Sequence, residues 1–452
     1  MNRTLIRGAR IVTLDASLGD FAAADMLIEG DTIAAIAPRI DAEIADLVDA
    51  TGCIAIPGLV NAHMHTWQTA LRGVAANWTL LEYFKKMHAG LATLFRPDDL
   101  YIATLAGALN QLNCGTTTLG DWCHNNPTPA HNDAALQALD ESGIRAVFLH
   151  GTPKPDPKPG ERPFWETPHS VHELRRLRSS WLPGRPLLSI GAAILGPHYS
   201  TLEVAQQDFR MARDLGVIAS MHQGGGPARA PDGWERLEQA GLLGDHVNIV
   251  HGHALTDVQL RRFVARGISF SVAPENEMIQ GHGHPITGRL LALGAAPSLG
   301  VDLESTVSGE MLVQARTALN LQRSLDNVAW RAEKGSMPPT STIGARQALR
   351  WATVEGARAL KLDDRIGSLI PGKQADLVLI DASALNMQPV HDPVATVVLQ
   401  TSLANVRDVM VGGRWRKRAG RLIYDGLAAR LDQLGESGRR IAAALELGAS
   451  TA

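Results

Sequence analysis

Cysteine is scarce. The 452 residues hold three, Cys53, Cys114 and Cys123, and no CxxC pair. That excludes a disulfide framework and a dithiol or zinc-ribbon motif, and it points to a reducing, cytoplasmic compartment. An excess of charge is missing too: Lys+Arg of 43 against Asp+Glu of 46 leaves a net −3. A nucleic-acid or membrane-surface protein would carry a basic surplus. No run of about 18 apolar residues is present to span a bilayer. The N-terminus mixes charged and apolar residues without the apolar centre of a signal peptide. There is no GxSxG elbow for a serine hydrolase. Gly367–Gln374 imitates a phosphate loop, but it lacks the final Ser/Thr, contains Pro371 and leads into a strand, so a β-turn is expected.

What is present is a long, apolar chain, 45% hydrophobic, which predicts one large domain and a satellite. Both ends are rich in short strands: Arg10–Leu14, Asp25–Glu29 and Thr32–Ile36, then Ala375–Ile380, Val394–Leu399 and Val406–Val411. Between them, apolar runs alternate with amphipathic stretches. The runs are Ile56–Val60, Thr116–Leu119, Arg145–Leu149, Leu188–Ile194, Val217–Met221, Val247–Val250, Ile268–Val272 and Pro297–Val301. Eight buried strands in βα alternation predict a parallel (β/α)8 barrel. A doubly wound sheet would announce a Gly-rich loop after its first strand, and none follows Val60. The expected division is 1–55 with 366–425 as a small β domain, 56–365 as the barrel and 426–452 as a C-terminal helix and tail. The Pro-rich run Pro153–Pro163 reads as a surface loop near the barrel mouth.

The sixteen histidines are the unusual entry in the composition. His63 and His65 are two apart at the end of the first strand, so period-2 geometry puts both on one side. His222 ends the fifth run, His251 and His253 the sixth, and Asp302 the eighth. C-terminal strand ends are where barrels build active sites. Imidazoles with one carboxylate and an open position suit catalytic zinc or a similar ion. A lone strand-end histidine such as His124 or His198 is more often structural.

The chain resembles the amidohydrolase superfamily, in the branch holding cytosine and guanine deaminases, adenosylhomocysteine deaminases and triazine hydrolases. The resemblance rests on Pro57-Gly58-Leu59-Val60-Asn61-Ala62-His63-Met64-His65, Leu71-Arg72-Gly73, Cys114-Gly115-Thr116-Thr117-Thr118 and Gly196-Pro197-His198. It continues in Met221-His222, Val250-His251, Ser298–Asp302 and Gly367–Leu377. It implies a distorted (β/α)8 barrel with a small β-sandwich domain built from both chain ends. It implies one divalent ion, Zn2+ first and Fe2+ or Mn2+ otherwise, held by His63, His65, His222 and Asp302, with His251 beside the activated water. It also implies a homo-oligomer, a dimer or larger. His253 has no counterpart in the family pattern.

An ion of this kind acidifies water, Asp302 can take up the proton, and His251 can hydrogen-bond the same water. Deaminases of the branch carry a glutamate three residues after the strand-5 histidine; here Gly225 stands there. A placed acid is worth roughly 10²–10⁴ in rate, so a replacement is expected. Glu277 is the first choice as a catalytic residue, with Glu275 and Glu304 as alternatives near the substrate. Solvated loop charges are the plainer reading. Trp67, Gln68, Trp122 and His198, with Trp78 and Tyr83, suit a wall for a flat ring, although Tyr83 reads better as core. His282 and His284 either face the substrate or belong to a rigid loop.

The expected activity is cleavage of a C–N bond, not peptide, in a small cyclic or aromatic amide, amidine or urea-like compound. One alternative is a heteroaromatic chlorohydrolase or alkylaminohydrolase of the triazine hydrolase type. Another is an isomerase or lyase using the ion as Lewis acid. The partner is a small-molecule substrate, with no nucleic acid and no membrane.

Overall fold

The computed structural model describes residues 3–43, 46–224 and 226–449. Strands from both ends of the chain share one sheet. From the N-terminal side come β1 (Arg3–Ile11), β2 (Phe21–Glu29), β3 (Thr32–Ala37), β4 (Asp46–Asp49) and β5 (Cys53–Pro57). The next eight strands build the barrel: β6 (Leu59–Met64), β7 (Thr116–Cys123), β8 (Arg145–His150), β9 (Leu188–Ala193), β10 (Ala219–Gln223), β11 (Val247–His251), β12 (Ser269–Val272) and β13 (Ser298–Leu299). The chain then returns to the first sheet with β14 (Leu377–Asp381), β15 (Val406–Val411), β16 (Arg414–Arg418) and β17 (Arg421–Leu422). The first sheet runs β17-β16-β15-β14-β5-β1-β2-β3, with β4 on β1. Its seam is β5, antiparallel to β14 and parallel to β1. Ile6, Ile11, Met26, Leu377, Leu379 and Met410 fill its separate core.

The run Ile56–Val60, expected as one strand, serves both sheets. Gly58 is the crossing point. A Cβ there would meet the Thr117 side chain at 2.0 Å, so only glycine lets the chain step from one sheet to the other.

The eight barrel strands lie in sequence order and pair in parallel. Strands β6, β7, β8, β10 and β11 are buried along their whole length. This is why they read as mainly apolar runs without a strict alternation. The barrel closes through a parallel bridge between Met64 and Asp302. Gly300 permits the approach, since a Cβ there would lie 2.5 Å from the His63 carbonyl oxygen.

One expected strand is a helix. Val394–Leu399 lies within the helix Pro393–Gln400. Pro393 takes the first position, and the Asp392 carboxylate accepts from the amides of Val394 and Ala395 at 2.9 and 3.0 Å. A cap and a proline outweigh the strand preference of four β-branched residues. The Gly367–Gln374 segment is a turn, and Lys373 Nζ donates to the carbonyls of Asp363 and Ile366. The terminal helix Leu427–Ala449 packs on the barrel through Leu434 and Ile441. No helix among the described residues is long and apolar enough to cross a membrane.

Candidate metal centre and its pocket

Four side chains converge where the barrel closes. His63 is on β6 and His65 follows it, His222 is near the end of β10, and Asp302 lies just beyond β13. Asp302 N donates to His63 O at 3.0 Å, and His65 N donates to Asp302 O at 2.8 Å. The backbone ladder that shuts the barrel therefore also sets the ligand spacing. Asp302 has φ +66° and His251 has φ +67°, both left-handed and neither glycine. Such strain collects at functional sites, where the surrounding structure enforces it.

The ligand atoms of His63, His65, His222 and Asp302 all lie within 4.8 Å of one another, and all four residues are buried. Asp302 Oδ1 is 3.2 Å from His63 Nε2 and 3.3 Å from His65 Nε2. His63 Nε2 is 3.2 Å from His222 Nε2. Donors about 2.0–2.1 Å from a tetrahedral ion lie roughly 3.3 Å apart, so this donor set fits one divalent ion. Burial lowers the pKa of His63 and carries that of His222 well below the usual imidazole value, which favours the neutral ligand form. Burial opposes ionisation of Asp302, but its bonds to His63 and His65 and the nearby imidazoles outweigh that and hold it well below the usual carboxylate range.

The layer behind orients these groups. His65 Nδ1 donates to the Trp122 carbonyl at 2.5 Å, which leaves Nε2 as the free lone pair. Asn276 Nδ2 donates to Asp302 Oδ2 at 2.7 Å. His251 Nε2 faces that same oxygen at 3.7 Å, and its Nδ1 donates to Glu277 Oε1 at 2.8 Å. Glu277 is fully buried, accepts also from Ala273 N at 2.9 Å, and is pushed by burial to a pKa of about 7. Its other oxygen is 3.6 Å from His253 Nε2.

A cavity opens over the ligands, bordered by Tyr83, Phe84, His88, His124, Lys154, Tyr199, His251 and His282 among others. Glu277 does not border it; it touches His251 from behind. The six residues expected to meet the substrate also lie behind the wall. Trp67, in the 3₁₀ helix Thr66–Leu71, is buried edge-on to Phe95 at 5.1 Å. Gln68 donates to the Tyr83 hydroxyl at 2.5 Å and accepts from Ser305 at 2.7 Å. Trp122 Nε1 donates to Ser220 Oγ, and its ring lies 4.3 Å from that of His222. His198 pairs with Gln223 through Nδ1 at 3.2 Å. Glu275 accepts from Gln314. Glu304 is held by Thr69, Arg72 and Asn110. Glu275 and Glu304 are thus occupied by amide, hydroxyl and guanidinium donors away from the cavity. Tyr83, expected in the core, is buried there and also borders the cavity. The His282 ring lies tilted beside that of His251, with centres 4.6 Å apart, while His284 is exposed. Gly225 lies outside the described residues.

Lys154, His88 and Tyr199 had no sequence signal of their own. The only hint for Lys154 is its place between Pro153 and Pro155 in the loop after β8.

A profile of the amidohydrolase family matches residues 54–416. A 5-methylthioadenosine/S-adenosylhomocysteine deaminase of Syntrophobacter fumaroxidans is 26% identical, over 91% of this chain and 92% of its own. An 8-oxoguanine deaminase of Pseudomonas aeruginosa is 30% identical, covering 89% of each. The crystal structure of an atrazine chlorohydrolase from Arthrobacter aurescens complexed with zinc superposes with a TM-score of 0.83 at 22% identity, over 96% of this chain and all of the other (100%).

Proposed function

The chain belongs to the amidohydrolase family of metal-dependent hydrolases, and from that premise we propose that it hydrolyses a C–N bond in a small nitrogen heterocycle or cyclic amidine, with zinc held by His63, His65, His222 and Asp302. The observation that carries this is the convergence of those four donors at one open barrel end, with His251 and its buried carboxylate beside them. The deaminase relatives support the substrate class.

A divalent ion bound there supplies Lewis acidity and lowers the pKa of water towards about 7. The protein supplies the proton path. Asp302 Oδ2, steadied by Asn276, is the carboxylate oxygen nearest His251 Nε2. His251 presents Nε2 to the cavity because Nδ1–H is committed to Glu277. It takes a proton from the attacking water at Nε2, and Glu277 stabilises the resulting imidazolium. It then returns the proton to the leaving nitrogen. This route replaces the acid that the branch places where Gly225 stands. Burial holds His251 at a pKa of about 4, so the neutral, proton-accepting form prevails at neutral pH.

A second reading has one observation in its favour. Apart from Asp302, no carboxylate among the described residues borders the cavity. Chloride leaves without needing a proton, so a chlorohydrolase tolerates that lack. The test is a panel of aminopurines, cyclic amidines, ureides and chlorotriazines with zinc-loaded enzyme, reading ammonia, chloride and product mass. Ammonia release that is lost in His222→Ala is the expected result. Chloride release alone selects the second reading. Product without oxygen from labelled water rejects both.

A further inference from the structure

Lys154 is the one formal cation among the described residues that border the cavity. Its chain position is constrained on both sides. Pro153 fixes its own φ, and Pro155 forces Lys154 itself into an extended backbone. The loop follows β8 at the C-terminal end of the barrel, the same end that carries the four ligands.

The ammonium has found aromatic faces but no anion. Nζ lies 5.0 Å from the ring centre of Tyr199 and 5.6 Å from that of Trp122. Among the described residues it makes no ion pair and no hydrogen bond. Apart from Asp302, the titratable neighbours around the cavity are His65, His88, His124, His222, His251, His282, Tyr83 and Tyr199, none of them an anion. Asp302, the single carboxylate, is engaged by His63, His65 and Asn276. A charge drawn out of water without a counter-charge is costly, and cation–π contacts offset only part of that. Burial pushes the Lys154 pKa down to about 8, which still leaves the cationic form dominant at neutral pH.

We infer that Lys154 determines specificity by pairing with a negatively charged group on the substrate, a carboxylate or an ionised ring oxygen, so that the enzyme acts on anionic heterocycles rather than neutral ones. This rests on the hydrolase reading above. With an ion bound, the cavity gains a further excess of positive charge. A substrate anion near Lys154 neutralises part of it and turns the reactive carbon to the ligand cluster. Recognition by a charge-assisted contact is directional and strong in a desolvated pocket.

The test separates Lys154 from the metal and from catalysis. Zinc-loaded wild type, Lys154→Met and Lys154→Arg are titrated by calorimetry with benzoate and with nitrobenzene, its neutral isostere. Circular dichroism and zinc content check that each variant is folded and loaded. The expected result is benzoate binding about tenfold or more tighter than nitrobenzene in wild type, no such preference in Lys154→Met, and most of it kept in Lys154→Arg. No preference in wild type overturns the inference. So does a preference that survives in Lys154→Met, which would mean that the carboxylate sits on the ion. For any substrate found by the panel, KM for the acidic member of an acid–neutral pair rises about tenfold in Lys154→Met with kcat little changed. An equal loss of kcat in both variants, with the acid–neutral ratio unmoved, makes Lys154 a proton donor and overturns the assignment. A panel with no turnover rejects the hydrolase reading, while the calorimetry still decides the role of Lys154.

Discussion

Glu277 Oε1 accepts a 2.8 Å hydrogen bond from Nδ1 of His251, and this places a fully buried carboxylate behind a cavity imidazole that also faces Asp302. The carboxylate fixes which ring nitrogen carries the proton and stabilises the ring when the other nitrogen gains one. Glu277→Gln keeps the shape but offers either an amide oxygen or an amide donor to Nδ1. The expected effect is a kcat roughly 10–100-fold lower, with KM and zinc content little changed. Steady-state kinetics with metal analysis reads both. A variant that loses zinc in step with activity would show that Glu277 supports the ligands instead.

Chelation is expected to remove activity and lower thermal stability together. An ion that binds only the folded chain stabilises it by about 2.7 kcal/mol when free ion stands at 100 times its Kd. Melting wild type with and without a chelator measures this, and added zinc should restore both properties. His222→Ala, lacking one donor of the cluster, should show a much smaller zinc-dependent shift than wild type. An undiminished shift in that variant would move the binding site elsewhere.

The barrel was legible because its strands are buried on both faces. Runs such as Arg145–Leu149 and Val247–Val250 are buried at every position, as in a parallel sheet with helices outside. The ligand cluster was legible because strand ends carry the chemistry and because His63 and His65 share a strand's period. The cavity wall was not. Trp67 and Gln68 follow the histidines in sequence, but the 3₁₀ turn Thr66–Leu71 rotates them into the packing behind. Lys154 lies in a loop, where no period reports which way a side chain faces. The helix Pro393–Gln400 is hidden in the sequence because its β-branched residues favour a strand, while its Asp392-Pro393 start is a two-residue signal.

Away from the metal, Asp208 makes stability depend on pH. It is buried, accepts from His169 N at 2.8 Å, and burial raises its pKa to about 7. An unfolded aspartate titrates near 3.9, about three units lower. Between about pH 4 and pH 7 the folded chain therefore binds more protons at this residue than the unfolded chain. Its contribution falls as pH rises through that window, with a slope of up to about 1.4 kcal/mol per unit. Asp208→Asn keeps the acceptor for His169 and removes the charge. Urea unfolding at several pH values should show the variant gaining on wild type as pH rises from about 4.5 to 7. His150 and His169 titrate in both proteins, so the difference isolates Asp208. A flat difference curve would refute the assignment.

The joint between the two sheets has its own test. Arg145, on β8 of the barrel, pairs in a fork with Asp376, just before β14, at 2.8 and 2.9 Å, with side chains 2% and 1% exposed. Asp376 also accepts from Gly412 N at 2.8 Å, and its carbonyl receives Gly58 N at 2.9 Å. One aspartate thus ties a barrel strand, a turn of the other sheet and the crossing glycine. Asp376→Leu strands a guanidinium in the interior and should cost about 3–5 kcal/mol in chemical unfolding. Adding Arg145→Met removes the stranded charge. The double variant should recover part of the loss, because an apolar pair avoids the desolvation of both ions. Recovery stays incomplete, since Gly412 N has lost its acceptor. If the double variant were as unstable as the two single losses summed, the pair would not be coupled and the joint would depend on the Asp376 backbone contacts alone.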